Sequence, residues 1–348
     1  MRIVVLAGGL STERDVSISS GLLVASALRE KGHEVVLLDV FKGYEKNICD
    51  IDALFKQNYS FTDSASVKET ICDVEIIKEN RLDKSDRFIG SNVIEICSEA
   101  DITFFALHGG EGENGQLQAA FDLLGIKYTG SGYFGSALAM NKGLTKSVLI
   151  QNKINTPAGA IFKDFEDAQS WNIFPCVVKP CSGGSSVGIA KAENKDEFIE
   201  AVKDAFKYES EIVVEQFVKG REFSVGILGT TALPPIEIMP KSGFYDYASK
   251  YQAGATVEVC PADIDKETDD KLRNAALSAF NALHLESYSR IDFLLDENGD
   301  TYCLEANTLP GMTPTSLLPQ EAAVEGYSYS DLCEKIIEIS LNKYKRNA

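Results

Sequence analysis

The segment Met1-Arg2-Ile3-Val4-Val5-Leu6-Ala7-Gly8-Gly9, with the thirty residues after it, sets the fold class. Residues 2–6 form an uninterrupted apolar run, as a buried strand requires. Gly8 and Gly9 make a turn, and the spacing predicts a helix over residues 17–31. Gly32 stands where a C-cap glycine belongs. Glu34-Val35-Val36-Leu37-Leu38-Asp39 then reads as a second strand, which completes a βαβ unit. Further on, Asp101-Ile102-Thr103-Phe104-Phe105-Ala106-Leu107 is another buried strand. It runs into His108-Gly109-Gly110-Glu111-Gly112-Glu113-Asn114-Gly115, a stretch too rich in glycine for regular structure. Residues 43–95 are polar and weakly patterned and read as an elaboration of this first domain, in the form of a hairpin.

Past Tyr128-Thr129-Gly130-Ser131-Gly132 the composition changes, which marks a boundary. A helix is expected over 136–152, strands at 175–179 and 187–191, a helix over 195–208 and a strand at 211–217. After Gly220, strands are expected at 222–228, 235–239, 288–295 and 301–305, with a long helix over 266–283 and a closing helix over 330–341. Asp296-Glu297-Asn298-Gly299-Asp300 is a hairpin turn. The order of elements gives an α/β first domain and α+β lobes behind it, with domains at 1–130, 131–218 and 219–348.

The 348 residues suffice for two or three small domains. Against 34 Lys and Arg stand 52 Asp and Glu, a net charge of −18, so neither nucleic acid nor an anionic membrane is an expected partner. The apolar start is short and is followed by Glu13-Arg14-Asp15, unlike a signal peptide. No apolar run approaches the roughly 20 residues that span a bilayer. Eight cysteines, none in a CxxC pair, read as reduced thiols of a cytosolic protein.

Five segments could carry chemistry. Lys179-Pro180-Cys181-Ser182-Gly183-Gly184-Ser185-Ser186-Val187-Gly188 places a lysine before a small-residue loop whose N–H groups can approach phosphate. It lacks the ending of a Walker A loop, and a plain flexible hairpin explains it equally well. Arg290-Ile291-Asp292 and Glu305-Ala306-Asn307 sit on strands flanking the hairpin turn. Period-2 alternation puts Arg290 with Asp292, and Glu305 with Asn307, on one face. If the strands pair, Asp292, Glu305 and Asn307 offer oxygens suited to Mg²⁺ between protein and nucleotide phosphates. The bland alternative, solvent-facing polar residues, is weakened by the core-like Ile291, Phe293, Leu294 and Leu304 around them. Glu215-Gln216-Phe217-Val218 and Glu222 could read an adenine and a ribose, a weak signal alone. Residues 241–254, rich in tyrosine and lysine, read as a lid or a sticky surface loop. Pro310-Gly311-Met312-Thr313-Pro314-Thr315-Ser316 is either a bare turn or a place for N–H groups that stabilise an oxyanion.

Taken in order, these segments resemble the D-alanine–D-alanine ligase family of ATP-grasp enzymes. The resemblance rests on residues 7–17, 107–115, 140–142, 179–188, 245–251, 290–292 and 305–312, and leaves out only 43–95. It implies a three-domain ATP-grasp fold with an N-terminal pre-ATP-grasp domain, ATP and two Mg²⁺ or Mn²⁺ ions, D-alanine as substrate, and a cytoplasmic homodimer. It implies that one D-alanine carboxylate takes the γ-phosphoryl group and that the amine of a second attacks the acyl phosphate. By the same resemblance Glu13 holds the first ammonium, in a cluster with Ser185 and Tyr251. Lys142, Lys179 and Lys250 touch phosphates. Glu215, Gln216, Phe217 and Val218 face adenine, and Glu222 faces the ribose. Asp292, Glu305 and Asn307 bind the metal, Arg290 and the Gly311 N–H steady the tetrahedral intermediate, and Ser316 binds the second carboxylate. His108, at the end of a buried strand, is expected to give electrostatic support or accept a proton.

A ligase that takes D-serine or D-lactate as second substrate keeps the same fold and site. The lid Tyr245-Asp246-Tyr247 with Lys250-Tyr251 resembles that of the dipeptide makers. A nicotinamide oxidoreductase fails on the fingerprint, because Ser11-Thr12-Glu13 follows Gly8-Gly9 where G-x-G-x-x-G is needed. A non-catalytic nucleotide-binding regulator would have no reason to keep every lysine and metal-ligand type.

Overall fold

The chain was described from a computed structural model, which covers residues 1–48, 50–61, 74–182, 188–241 and 255–345. Strand β1 (Arg2–Ala7) leads through the Gly8-Gly9 turn into α1 (Arg14–Glu30), β2 (Glu34–Asp39), the short helices α2 (Ile51–Lys56), α3 (Val74–Glu79) and α4 (Val93–Ser98), and β3 (Ile102–Phe105). The strands form a parallel sheet in the order β2-β1-β3. Parallel strands are covered on both faces, which is why these read as continuous apolar runs.

The turn after β1 is built on a buried ion pair. Arg14 binds the Asp39 carboxylate and donates to the Gly9 carbonyl at 2.7 Å. Gly8 has φ +76°, and a Cβ there would lie 2.8 Å from the Asp39 carboxyl carbon, so only glycine fits. With its charge satisfied inside, Arg14 starts the helix three residues ahead of the expected position 17.

Two expectations change in this lobe. Residues 43–95 hold short helices and, among the described residues, no hairpin. A parallel bridge at Leu37–Ser60 attaches them to β2, and one at Gly43–Ser91 draws their two ends together. The glycine-rich stretch after β3 contains one helical turn, α5 (Gly110–Glu113), followed by α6 (Gln116–Leu124). That turn forms because the Glu113 carboxylate reaches back to the N–H of its own cap residue, Gly109, at 3.0 Å.

The helix expected over 136–152 is two helices, α7 (Tyr133–Met140) and α8 (Lys142–Gln151). Asn141 breaks it: its ψ is 103°, and its side chain caps the second helix by accepting from Leu144 N–H at 2.9 Å. The next lobe runs β4 (Gly159–Phe162), α9 (Phe165–Ala168), β5 (Cys176–Pro180), β6 (Ala190–Ala192), α10 (Lys195–Tyr208) and β7 (Ile212–Gln216). It is an antiparallel sheet in the order β4-β7-β5-β6.

The last lobe holds β8 (Gly220–Leu228), β9 (Thr231–Ala232), β10 (Ile236–Pro240), β11 (Thr256–Val259), α11 (Lys266–Ala282), β12 (Tyr288–Asp296), β13 (Thr301–Asn307), α12 (Leu317–Val324) and α13 (Tyr329–Lys345). Its sheet order is β11-β10-β8-β12-β13, with β9 beside β8. In the β12–β13 turn Asp296 accepts from the N–H groups of Asn298 and Asp300, and Gly299 takes φ +80°.

Packing crosses the chain order. Ala139 of α7 and Leu149 of α8 enter the core of the six-stranded sheet. Leu332, Cys333, Ile336 and Ile337 of α13 return to the core of the first sheet, where α13 lies against α1. Among the described residues no helix is long and apolar enough to cross a membrane.

Candidate active site

The first lobe contributes the two loops that follow β1 and β3. Ser11 Oγ donates to the His108 carbonyl at 2.6 Å, which ties these loops together. Glu13, at the start of α1, lies across Gly109: a Cβ on that glycine would come within 2.9 Å of Glu13 Oε2. Gly109 has φ +67°, a backbone conformation that favours glycine. His108 is 7% exposed. Its Nδ1 lies 3.0 Å from the Leu309 carbonyl and its Nε2 3.2 Å from Ser20 Oγ, so both nitrogens have protein partners. The Leu309 contact brings the first lobe onto the segment that follows β13.

On the last lobe, β8, β12 and β13 present one polar face. Arg290 lies opposite Asn307, and Asp292 lies opposite Glu305. Direct opposition holds only because the register shifts by one between Asp292 and Phe293, which leaves Leu304 as the extra residue of a β-bulge. Asp292 is 5% exposed. Arg290 grips it with Nε on Oδ1 at 2.9 Å and an η-nitrogen on Oδ2 at 2.7 Å. Ser224 Oγ donates to Oδ1 at 2.8 Å, and Asn307 Nδ2 donates to Oδ2 at 3.1 Å. Lys142 Nζ stands 3.9 Å from Glu305 Oε2. Beyond β13, Gly311 allows a close approach, since a Cβ would sit 2.7 Å from Ser316 Oγ. Ser316 begins α12, and its Oγ accepts from Thr313 N–H at 3.1 Å.

In the middle lobe the carboxylate of Glu215 has protein partners of its own. Glu215 is expected to face adenine, yet its carboxylate is buried between two ammonium groups, Lys146 Nζ at 2.8 Å and Lys179 Nζ at 2.6 Å. A buried carboxylate needs counter-charge, and the two ammonium groups supply it. Burial raises the Glu215 pKa, but Lys179 and Lys146 outweigh it and hold the carboxyl below its usual range. Burial pulls Lys179 down, but Glu215, with Glu305 and Glu222 further off, holds it above the usual lysine value. Lys146 moves down, with burial the larger influence and Glu215 opposing it. Lys146 also donates to Thr156 Oγ1 at 3.0 Å and to the Pro157 carbonyl at 2.6 Å, so its position is fixed. Beyond Glu215, Gln216 is exposed, while Phe217 and Val218 are half-buried. The Phe217 ring carries Lys191 Nζ 4.0 Å from its centroid. Glu222 is on β8 opposite Leu294.

Two family models match this chain, D-ala D-ala ligase N-terminus over residues 2–131 and D-ala D-ala ligase C-terminus over residues 147–338. The chain belongs to the D-alanine–D-alanine ligase family. It is 45% identical to a D-alanine–D-alanine ligase of Pediococcus pentosaceus, covering 97% of each chain. It is 43% identical to one of Lacticaseibacillus casei, covering 99% of this chain and 97% of that one. Its fold matches the crystal structure of the Bacillus anthracis D-alanine–D-alanine ligase complexed with ATP, with a TM-score of 0.74, 29% identity and full coverage of both chains.

For this ligase family member, then, Glu13, His108, Arg290, Asp292, Glu305, Asn307, Gly311, Ser316, Lys142, Lys179 and Glu222 have described positions, whereas Ser185, Lys250 and Tyr251 lie outside the described residues. Among the described residues no group of three or more His, Cys, Asp or Glu could hold a metal ion. Asp292, Glu305 and Asn307 supply two carboxylates and an amide on one face, a hard-oxygen set that fits Mg²⁺ or Mn²⁺ when phosphate oxygens complete the shell. The four acceptor positions of Asp292 are taken by Arg290, Ser224 and Asn307, so a cation there replaces at least one of these donors. Lys146 is absent from the expected site, although its place four residues after Lys142 puts both lysines on one helix face. Glu113 is likewise new. It is visible in the sequence only as one carboxylate among glycines.

Proposed function

We propose that this chain joins two D-alanines into D-alanyl-D-alanine at the expense of ATP, in the cytoplasm, for peptidoglycan precursor synthesis. The observation that carries this reading is the junction at Leu309. There the loops that carry Glu13 and His108 abut a strand face with two carboxylates, an arginine and a nearby lysine. Such a junction suits a small zwitterion held beside a phosphate chain.

In this mechanism Glu13 takes the ammonium of the first D-alanine, which leaves its carboxylate pointing toward the nucleotide. One carboxylate oxygen attacks the γ-phosphorus, the bond to the β–γ bridging oxygen breaks, and ADP leaves. Lys142 and Lys179 offset the phosphate charge, and Glu215 keeps Lys179 charged and in place. A divalent cation held by Asp292, Glu305 and Asn307 would supply further neutralisation of that charge. The second D-alanine, its carboxylate at Ser316, loses an ammonium proton to solvent and attacks the acyl carbon, and the nitrogen gives up its remaining extra proton to the departing phosphate. Arg290 and the Gly311 N–H face the oxyanion that forms, and phosphate then leaves. Ser185, Lys250 and Tyr251 take the lid roles that the family pattern gives them.

The test is phosphate release from ATP and Mg²⁺ with D-alanine alone, then with D-lactate or D-serine added, with products resolved by mass. Phosphate matched by D-alanyl-D-alanine supports the proposal. A preferred mixed product makes the chain a ligase of the glycopeptide-resistance type. Failure to turn over with any pair refutes the reading.

A further inference from the structure

Glu113 lies outside the roles given above, yet its carboxylate accepts hydrogen bonds from both sides of the Leu309 junction. Oε2 accepts the Gly109 N–H at 3.0 Å. Oε1 accepts the N–H groups of Thr308 and Leu309, both at 3.2 Å, and the Thr308 hydroxyl at 3.5 Å. One oxygen therefore serves the loop after β3 and the other the segment after β13. Thr308 is 1% exposed and Leu309 4%, so their N–H groups depend on a protein acceptor. The His108 ring crosses the same gap to the Leu309 carbonyl. The N–H and C=O of Leu309 are thus both held by the first lobe.

Sequence distance makes this bond informative. Glu113 and Thr308 are 195 residues apart. Asn307, the last residue of β13, directly precedes the held pair, and Gly311 follows two residues after it. On the other side the Glu13 carboxylate lies against Gly109. Fixing residues 308 and 309 therefore fixes the distance between the group that would hold the first substrate and the groups that would act on its carboxyl.

We propose that Glu113 is a positioning residue that sets the spacing between the first-substrate loop and the Asn307–Gly311 segment, and so governs the rate of the chemical steps. The inference rests on the ligase reading above. Among the described residues the hydrogen bonds of Glu113 go to Gly109, Thr308 and Leu309 and not to Lys142 or Lys179, so the affinity for ATP should be nearly independent of it. A side chain here needs acceptors at both ends of its head group and the full length of glutamate. Glutamine keeps the length but places an NH₂ donor against an N–H donor. Aspartate keeps the charge but is one methylene short.

The experiment compares the unaltered full chain with Glu113→Gln and Glu113→Asp, measuring kcat and the KM for ATP and for D-alanine, with the folded fraction followed by circular dichroism. Both variants should remain folded and lose about 100-fold in kcat, the scale of a displacement of about 1 Å between reacting groups. The KM for ATP should stay within about threefold, since uniform binding is untouched. A kcat within about threefold of the unaltered chain in either variant overturns the proposal. So does a loss shared equally with ATP affinity, or a glutamine variant that does not fold, because each makes Glu113 a general structural residue. If the unaltered chain itself releases no phosphate, the ligase reading fails, and that result is distinct from an unimpaired variant of a working enzyme.

Discussion

Glu215 shows how one side chain can be visible in the sequence while its task is not. A carboxylate at the end of an apolar strand is costly and so stands out. Its partners, Lys146 on α8 and Lys179 on β5, come from two other elements, and only folding brings them to 2.8 Å and 2.6 Å. Removing one partner from a buried ion pair leaves uncompensated charge. Glu215→Gln should therefore cost about 3 kcal/mol or more in urea unfolding near neutral pH. A loss under about 1 kcal/mol would show that water or another acceptor replaces it. The pH dependence has a definite sign. Because the folded pKa of Glu215 lies below the ordinary 4.5, its contribution is complete above that value and is lost as pH falls through the folded pKa. The gap between the two chains should accordingly narrow in acid.

At the scale of elements, the hairpin of β12 and β13 was legible down to its turn residues. Period-2 alternation also placed Arg290 with Asp292 and Glu305 with Asn307 correctly on their own strands. Alternation cannot say how one strand aligns with the other. Counted regularly from the turn, where Leu295 pairs with Thr301, Asp292 would face Leu304, and Glu305 would turn to the opposite face. The bulge at Leu304 moves the register by one and brings Glu305 across from Asp292. Deleting Leu304 would straighten the ladder yet leave Glu305 across from Asp292 and Asn307 across from Arg290, so the circular dichroism spectrum should stay close to that of the unaltered chain and phosphate release within about tenfold of it. A loss of about 100-fold or more would mean that the bend the bulge puts into β13, and not the register alone, places the carboxylates. The break at Asn141 belongs to the same scale. An asparagine inside an otherwise helical run caps rather than continues when its side chain can reach an N–H three residues on.

Across the whole molecule, chain order and packing order part company. The last helix, α13, returns to the first sheet and lies on α1. Near its end Lys343 Nζ lies 3.8 Å from the centroid of the Tyr128 ring and donates to the Gly130 carbonyl at 2.9 Å. Burial lowers its pKa from 10.5 to about 8, with Glu286 and Asp122 pulling the other way. Between about 8 and 10.5 the unfolded chain binds more protons at this position than the folded one, so this contribution to stability grows with pH across that range. Comparing urea unfolding of the unaltered chain and Lys343→Met from about pH 7.5 to about pH 9.5, the difference should shift by about 2 kcal/mol in favour of the unaltered chain. A flat or opposite difference would mean that Lys343 stays charged where it lies.

The sequence by itself determined the α/β start, the strands and most helices, the hairpin turn, and the residue types that gather at the site, because periodicity, caps and turn glycines act over a few neighbours. Tertiary structure alone decided which lobe each helix joins, that Glu215 serves two lysines, that Leu304 bulges to align the carboxylates, and that Glu113 bridges residues 195 positions apart. These depend on burial and on contacts between distant segments, for which a linear pattern carries no distance information.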